Sequence, residues 1–109
     1  MKKITAALGL AATLAASTLA LAPTASAEET CPWPYVCFED GNGHILTMYK
    51  DQGWQNTGSL TRSAAYVTNA RHDDCALLKY SSGFTDRLYP GQGWSLGSQV
   101  VAIDILSGC

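Results

Sequence analysis

The chain carries MYKDQGW at residues 48–54 and LYPGQGW at residues 88–94, two stretches that share four of seven residues at an offset of 40. The shared residues include a Tyr and a Trp, of which the whole chain has only five and three. Farther along, residues 64–67 correspond best to residues 100–103, at an offset of 36. Because a unit repeated in sequence is usually repeated in structure, the pattern predicts two copies of one structural unit.

Each copy also carries the signs of antiparallel β-strands. Runs rich in β-branched and aromatic residues are separated by glycine-containing turns, which is the pattern of β-hairpins. These turns align at Gly43 and Gly83, again at an offset of 40. The predicted strands are residues 35–39, 44–49, 64–68, 76–80, 84–89 and 99–105. The sequence therefore predicts an all-β sandwich of two four-stranded units.

Residues 1–27 have the features of a secretory signal peptide: two lysines, an apolar run and an Ala-Ser-Ala cleavage site. A retained membrane anchor is the alternative, but the adjacent cleavage site favours removal. Cleavage leaves a domain of residues 28–109, with five basic and nine acidic side chains and a formal net charge of −4, against −2 for the whole chain. The sequence thus predicts a secreted, extracellular monomer. Without a basic stripe or a second spanning segment, neither nucleic-acid nor membrane partners are predicted.

All four cysteines, Cys31, Cys37, Cys75 and Cys109, lie in the predicted mature chain. An even count in a short exported chain indicates disulfides. Four cysteines allow three connectivities, and the favoured one joins sequence neighbours, Cys31–Cys37 and Cys75–Cys109. A zinc site is the alternative, but the chain has no Cys-x-x-Cys and neither histidine is spaced as a ligand. No metal site and no cofactor are predicted.

Residues 31–40 read CPWPYVCFED. This opening resembles that of secreted bacterial domains of βγ-crystallin type, and in particular is similar to the small exported metalloproteinase inhibitors of actinobacteria. The resemblance extends over nearly all of the mature chain. It implies a βγ-crystallin-like sandwich of two Greek-key motifs stapled by disulfides, with repeat one at about residues 35–68 and repeat two at about residues 75–105. It also implies that Ser63 and Ser98 pin the two hairpins to their neighbours.

The resemblance further implies a peptidase inhibitor that acts on extracellular metalloproteases of the thermolysin type, so that the partner is a protease. The candidate inhibitory loop is the polar segment between the repeats, which comprises Thr68, Asn69, Ala70, Arg71, His72, Asp73 and Asp74. A disulfide at the foot of such a loop lowers its ordering cost and keeps a nicked bond in place. The alternative is a solvated connection between two β-units. Trp33, between two prolines, is predicted to form a lid on one end of the sandwich, with an exposed partner anchor as the alternative.

Other chemistries have less support in the sequence. Trp54 and Trp94 occupy equivalent repeat positions and are predicted to be core aromatics, with a carbohydrate-stacking platform as the alternative. Residues 60–64 match the place of a βγ-crystallin calcium motif, but Arg62 stands where an acid is expected. The chain is not predicted to be an enzyme, because no catalytic motif organises its Ser, His and Asp residues. The alternative to inhibition is a non-inhibitory extracellular domain, either structural or antimicrobial in the manner of a killer toxin.

Overall fold

The computed structural model describes residues 29–109, and the predicted signal peptide, residues 1–27, lies outside them. The described strands are β1 (Val36–Glu39), β2 (Ile45–Tyr49), β3 (Gly53–Asn56), β4 (Tyr66–Asn69), β5 (Ala76–Tyr80), β6 (Thr85–Leu88), β7 (Gly93–Ser95) and β8 (Val100–Ile105). A one-turn helix, α1 (Ser59–Arg62), lies between β3 and β4. Each of the predicted strands forms, with its ends within two residues of the prediction. The remaining two strands, β3 and β7, begin at the glycines of the repeated Gln-Gly-Trp sequence.

The strands form two four-stranded antiparallel sheets. Sheet 1 has the order β2-β1-β4-β7, and sheet 2 has the order β3-β8-β5-β6. Each sheet takes three strands from one half of the chain and one edge strand from the other half. The predicted all-β, two-sheet architecture is therefore confirmed. Neither sheet is made by one half alone, because the third strand of each half pairs with the fourth strand of the other.

The two hairpin turns have the same hydrogen bonds. The Gly43 N–H donates to the Asp40 carbonyl at 3.2 Å, and the Gly83 N–H donates to the Tyr80 carbonyl at 2.8 Å. Gly43 and Gly83 have φ angles of 83° and 92°, in the left-handed region that glycine adopts at little cost. The two turns, which are 40 residues apart in the sequence, therefore also have the same local structure.

The fourth strands follow the predicted offset of 36. Val67 pairs with Phe38 in sheet 1, and Ile103 pairs with Leu78 in sheet 2. Phe38 and Leu78 are 40 residues apart, whereas Val67 and Ile103 are 36 apart. The second half is thus shorter between its hairpin and its last strand, as the sequence alignment predicts.

The core lies between the two sheets and is filled by alternate side chains, since successive residues of a strand point to opposite faces. Its fully buried members are Val36, Phe38, Val67, Ala76, Leu78, Leu88, Val100, Ile103 and Ile105. Burial of each larger aliphatic or aromatic side chain in this set contributes roughly 1.5–3 kcal/mol to folding.

Both predicted disulfides are present, Cys31–Cys37 and Cys75–Cys109, and no cysteine of the described chain is free. Cys31–Cys37 attaches the N-terminal segment to β1, and Cys75–Cys109 attaches the last residue to the one that precedes β5. Each bridge lies within one half of the chain. Neither, therefore, would hold the two halves together if the segment between them were cut.

Thr61, rather than Ser63, joins the short helix to the first hairpin. The Ser63 hydroxyl donates to a backbone carbonyl of α1 at 2.8 Å, so its expected pinning role is wrong. Thr61 is buried, and its hydroxyl lies 2.6 Å from Thr47 Oγ1 and 2.7 Å from the Tyr49 hydroxyl on β2. Ser98, the second expected pin, is exposed.

Candidate functional site

The segment between the two repeats is shorter and better anchored than the sequence suggests. Thr68 and Asn69 are the last residues of β4, so the connection to β5 consists of residues 70–75, and only five of the seven candidate residues belong to it. The Thr68 hydroxyl donates to Glu39 Oε2 at 3.0 Å. The Ala70 N–H donates to a carbonyl just before β1 at 2.9 Å. Thr68 and Ala70 therefore attach the segment to sheet 1.

Asn69 is a buried anchor for the segment. Its Nδ2 donates to the carbonyls of Asp74 and Leu88 at 3.0 and 3.1 Å, and its Oδ1 accepts from the Arg71 N–H at 2.9 Å. The side chain is fully buried, so loss of these bonds would leave buried polar groups unsatisfied, at about 1–3 kcal/mol for each group. Asn69 thus determines the shape of the connection and is not itself available to a partner.

Arg71 ties three parts of the chain together. Its Nε donates to Asp74 Oδ2 at 2.8 Å, and its Nη2 donates to the same oxygen. Its Nη1 donates to the carbonyls of Pro34 and Lys50 at 2.8 and 3.1 Å. The Arg71 and Asp74 side chains are only 13% and 18% exposed. Arg71 is therefore engaged within the protein and is not free to enter the pocket of a protease.

Asp74 connects the segment to the C-terminal disulfide. The Arg71 guanidinium holds the pKa of the Asp74 carboxyl below its ordinary value, and the Gly108 N–H, 2.7 Å from Oδ1, lowers it further. The Cys75 N–H in turn donates to the Gly108 carbonyl at 3.0 Å. Because the folded-state pKa is lowered, Asp74 contributes stability above pH 3.8 that is lost as the pH falls through the folded-state value.

Trp33, His72 and Asp73 are exposed at this end, and we call these three residues the Trp33–His72 surface. The Trp33 ring is 60% exposed and stacks on the His72 imidazole, with ring centroids 5.3 Å apart and planes inclined by 25°. The prediction of Trp33 as a lid is therefore wrong, because a lid would bury most of the ring. The two candidate contact segments therefore meet in one place, at an aromatic pair that is followed in sequence by the exposed Asp73.

The sequence does not reveal that residues of this segment have different roles. Residues 68–74 are predicted as one loop, whereas in the structure most of them make contacts within the protein and only His72 and Asp73 are exposed. The Arg71-x-x-Asp74 spacing was a usable signal, because opposite charges three residues apart can meet across a turn. The stack of Trp33 on His72 joins residues 39 apart and has no local signal in the sequence.

The two repeated tryptophans have different environments. Trp94 is partly buried against the core, as predicted, but Trp54 is 54% exposed, so the prediction of a core position for it is wrong. The reason is the register of the exchanged strands. Val67 pairs with Trp94, whereas the equivalent Ile103 pairs with Gln55. A shift of one residue moves a side chain to the opposite face of a sheet, and Trp54 therefore points outward.

A depression of about 530 Å³ on the outer face of sheet 1 has three carboxylates in its wall, those of Glu29, Glu39 and Asp40. Each carboxylate already accepts a hydrogen bond from the protein. The N–H groups of His44 and then Asn42 lower the pKa of the Asp40 carboxyl. Among residues 29–109, no three His, Cys, Asp or Glu side chains are placed to hold a metal ion together. These carboxylates therefore have structural partners.

Within residues 29–109, no helix has the length and apolar character required to cross a bilayer. Comparisons of the chain with protein families, with curated proteins and with solved structures found no match. The geometry of the Trp33–His72 surface therefore carries the functional proposal.

Proposed function

We propose that the protein is a secreted inhibitor of extracellular metalloproteases of the thermolysin type, and that it binds them with the Trp33–His72 surface. The observation that carries this proposal is the stacking of Trp33 on His72 at 5.3 Å, which unites the two candidate contact segments. The protein would act as a monomer outside the cell. Its two disulfides favour an oxidising compartment, which is consistent with export.

Rigidity of the contact segment supports inhibition. A protein that occupies a protease cleft gains affinity when its contact segment is ordered before binding, because less conformational entropy is lost. Here Asn69 and Arg71 hold the segment from below through hydrogen bonds to five backbone groups and one carboxylate. The Cys75–Cys109 disulfide and the Asp74 bond to Gly108 fix its far end.

The exposed groups of the surface suit a zinc protease. An exposed tryptophan is a common anchor in protein interfaces. Imidazole and carboxylate groups are both zinc ligands, and His72 and Asp73 present one of each at the exposed tip. The proposal therefore assigns direct contact to Trp33, His72 and Asp73, and a supporting role to Asn69, Arg71 and Asp74.

We also propose that the fold is a βγ-crystallin-like pair of Greek keys. Its support is the arrangement in which the first, second and fourth strands of each half share a sheet while the third crosses to the other sheet. The matching positive-φ glycines, Gly43 and Gly83, support two copies of one motif. A non-inhibitory structural or antimicrobial domain of the same fold is the alternative function.

Titration of thermolysin activity with the oxidised protein tests the proposal. We expect stoichiometric inhibition that is lost when the disulfides are reduced. A Trp33→Ala, His72→Ala double variant should weaken inhibition about 100-fold or more, since truncated anchor residues can each cost 2 kcal/mol or more.

Phe84→Ala is the matched control, because Phe84 is 65% exposed on the distant β5–β6 hairpin. This variant should inhibit as the native protein does. If the native protein inhibits neither thermolysin nor other metalloproteases, the inhibitory proposal is wrong and the alternative function leads. If the double variant inhibits normally, the contact surface lies elsewhere.

A further inference from the structure

The outer face of sheet 2 carries a second exposed tryptophan in a different chemical setting. Strand pairing places Asn56 opposite Ala102, and Ala102 opposite Lys79. Lys79 in turn lies opposite Thr85. Trp54 is two residues before Asn56 on β3, so its side chain is on the same face. One row across all four strands of sheet 2 thus presents polar groups beside an indole ring.

These residues enclose a shallow depression of about 480 Å³ that is open to solvent. Its wall is formed by Trp54, Asn56, Lys79, Gly83, Thr85 and Ala102. Ala102 is small and almost buried, at 8% exposed, and it forms the floor between longer side chains. The depression is therefore a groove with an aromatic wall, an amide, a hydroxyl and an ammonium group around it.

The fold does not require an exposed tryptophan at position 54. Trp94, at the equivalent repeat position, packs against the core, whereas Trp54 is 54% exposed and is absent from the core cluster of the described chain. Exposure of so large an apolar side chain costs hydration free energy, and exposed apolar groups in concave polar surroundings are characteristic of binding sites. A ligand contact would account for the Trp54 ring.

The chemistry of the groove favours a sugar over an apolar ligand. A pyranose ring has one face of C–H groups, which can stack on an indole, and hydroxyl groups at its edge, which need donors and acceptors. Trp54 offers the ring, and Asn56 and Thr85 offer both donors and acceptors. An apolar ligand would leave these polar groups unpaired, at a cost in affinity.

The charge of this face favours an acidic sugar. Acidic side chains outnumber basic ones in the chain by nine to seven. Nevertheless, Lys79 and Arg87 are both exposed and both lie on this face. Asp104 is an acidic residue on the same face, so the two basic side chains outnumber it. Lys79 is within the groove wall itself. An ammonium group in this place can pair with the carboxylate of a uronic acid.

We propose that this groove binds an acidic polysaccharide, with a uronic-acid pyranose ring stacked on Trp54, its hydroxyls bonded to Asn56 and Thr85, and its carboxylate paired with Lys79. The site is separate from the Trp33–His72 surface and does not depend on protease inhibition. Binding to such a polymer would retain the secreted protein at a cell wall or in an extracellular matrix.

Titration of the ¹⁵N-labelled full-length protein with hexagalacturonate tests the proposal, with neutral cellohexaose as the comparison ligand. We expect the indole N–H resonance of Trp54 to shift while that of Trp33 stays in place. Trp54→Ala should weaken binding about tenfold or more, as expected for an aromatic anchor. Trp54→Phe, which keeps an aromatic ring, should bind with an affinity between that of the native protein and that of the Trp54→Ala variant. Lys79→Gln should remove the preference for the charged sugar over the neutral one.

Tyr89→Ala is the control, since Tyr89 is an exposed aromatic residue beyond the opposite end of β6 and should leave the affinity unchanged. No shift of the Trp54 resonance with hexagalacturonate, or equal affinity in the Trp54→Ala variant, would overturn the site. Equal binding of both sugars by the native protein would overturn the role of Lys79. Since thermolysin inhibition is measured separately, failure of one proposal leaves the other intact.

Discussion

Strands β3 and β7 both begin with Gly-Trp after a glutamine, yet Trp94 faces the core and Trp54 faces solvent. In β7, Trp94 pairs with Val67 and turns toward the core. In β3, Trp54 pairs with Asp104 and turns toward solvent. Both are edge strands, each paired with the last strand of the other half. The local sequence therefore does not determine which face of the sheet a side chain of an edge strand points to. The register of pairing with the partner strand determines it.

The glycines of this sequence also differ between the two halves. Gly53 has a φ of +96° at the start of β3, in the left-handed region that glycine adopts at little cost. Gly93 has no positive φ; a Cβ there would lie 2.9 Å from the Val67 carbonyl oxygen. The same residue type is thus required by conformation in one half and by close packing in the other.

The largest expected difference is between the tryptophans themselves. Trp94→Ala should lower the free energy of unfolding by about 3–4 kcal/mol, because it removes a large side chain packed on the core. Trp54→Ala should lower it by less than about 1 kcal/mol, as is usual for an exposed position. Urea denaturation of both variants measures the difference. Equal losses would mean that the two tryptophans are equally buried in solution and would break the comparison.

Asn69 and Ile105 extend the comparison to the fourth strands, where they are equivalent at the offset of 36: Asn69 faces Val36, and Ile105 faces Ala76. Asn69→Leu keeps the size of the side chain but removes its three hydrogen bonds, so it should cost about 2–3 kcal/mol. Ile105→Val, which trims one methylene from an apolar position, should cost about 1 kcal/mol. The same denaturation measurement applies. An Asn69→Leu variant as stable as the native protein would show that shape alone is needed there.

The two glycines should respond to alanine for different reasons. Gly93→Ala should cost about 2 kcal/mol, since the added carbon meets the Val67 carbonyl oxygen, a backbone atom that cannot easily move. Gly53→Ala should cost about 1 kcal/mol, because the site is open but its φ is unfavourable for alanine. Thermal unfolding of both variants tests the order. A larger loss for Gly53→Ala would indicate that the positive φ at Gly53 matters more than the close approach at Gly93.

The smallest effect should come from the hairpin turns. Asp40 and His44 form a polar pair at 3.4 Å in the first turn, where the second has Tyr80 stacked with Phe84 at 6.3 Å. Backbone N–H groups lower the pKa of Asp40, so the first turn should lose stability as the pH falls from 3.8 through the folded-state value. The protection of the Gly43 amide, measured relative to its intrinsic exchange rate at each pH, should therefore fall in acid, while that of the Gly83 amide should not. Asp40→Asn is the control and should remove the pH dependence.

The sequence predicted strand positions and both disulfides well, because these depend on alternation, glycine placement and cysteine spacing. It predicted the offset of 36 for the same reason, since Val67 and Ile103 occupy matching patterns. It could not predict which sheet β3 and β7 would join. For β3 that choice depends on pairing with β8, which lies about 50 residues away in the sequence. No local sequence pattern indicates such a pairing.

The candidate site was predicted in part. The sequence singled out Trp33 and the segment from Thr68 to Asp74, but it could not separate supporting residues from exposed ones. That separation depends on where the Asn69 amide and the Arg71 guanidinium find acceptors, which lie as far away as Leu88 and Pro34. The outward position of Trp54 was unpredictable for a similar reason, because it follows from a one-residue shift against β8.

The exchange of β3 and β7 also bears on survival in the presence of proteases. A cut between His72 and Asp73 would divide the chain into two pieces that no disulfide joins. Each piece would nevertheless still supply an edge strand to a sheet made by the other, and the two would share one apolar core. The nicked protein should therefore stay assembled, with the new chain ends held side by side where the peptide bond can be remade. Strand exchange thus gives this domain the tolerance to cleavage that a bridge across the loop would otherwise provide.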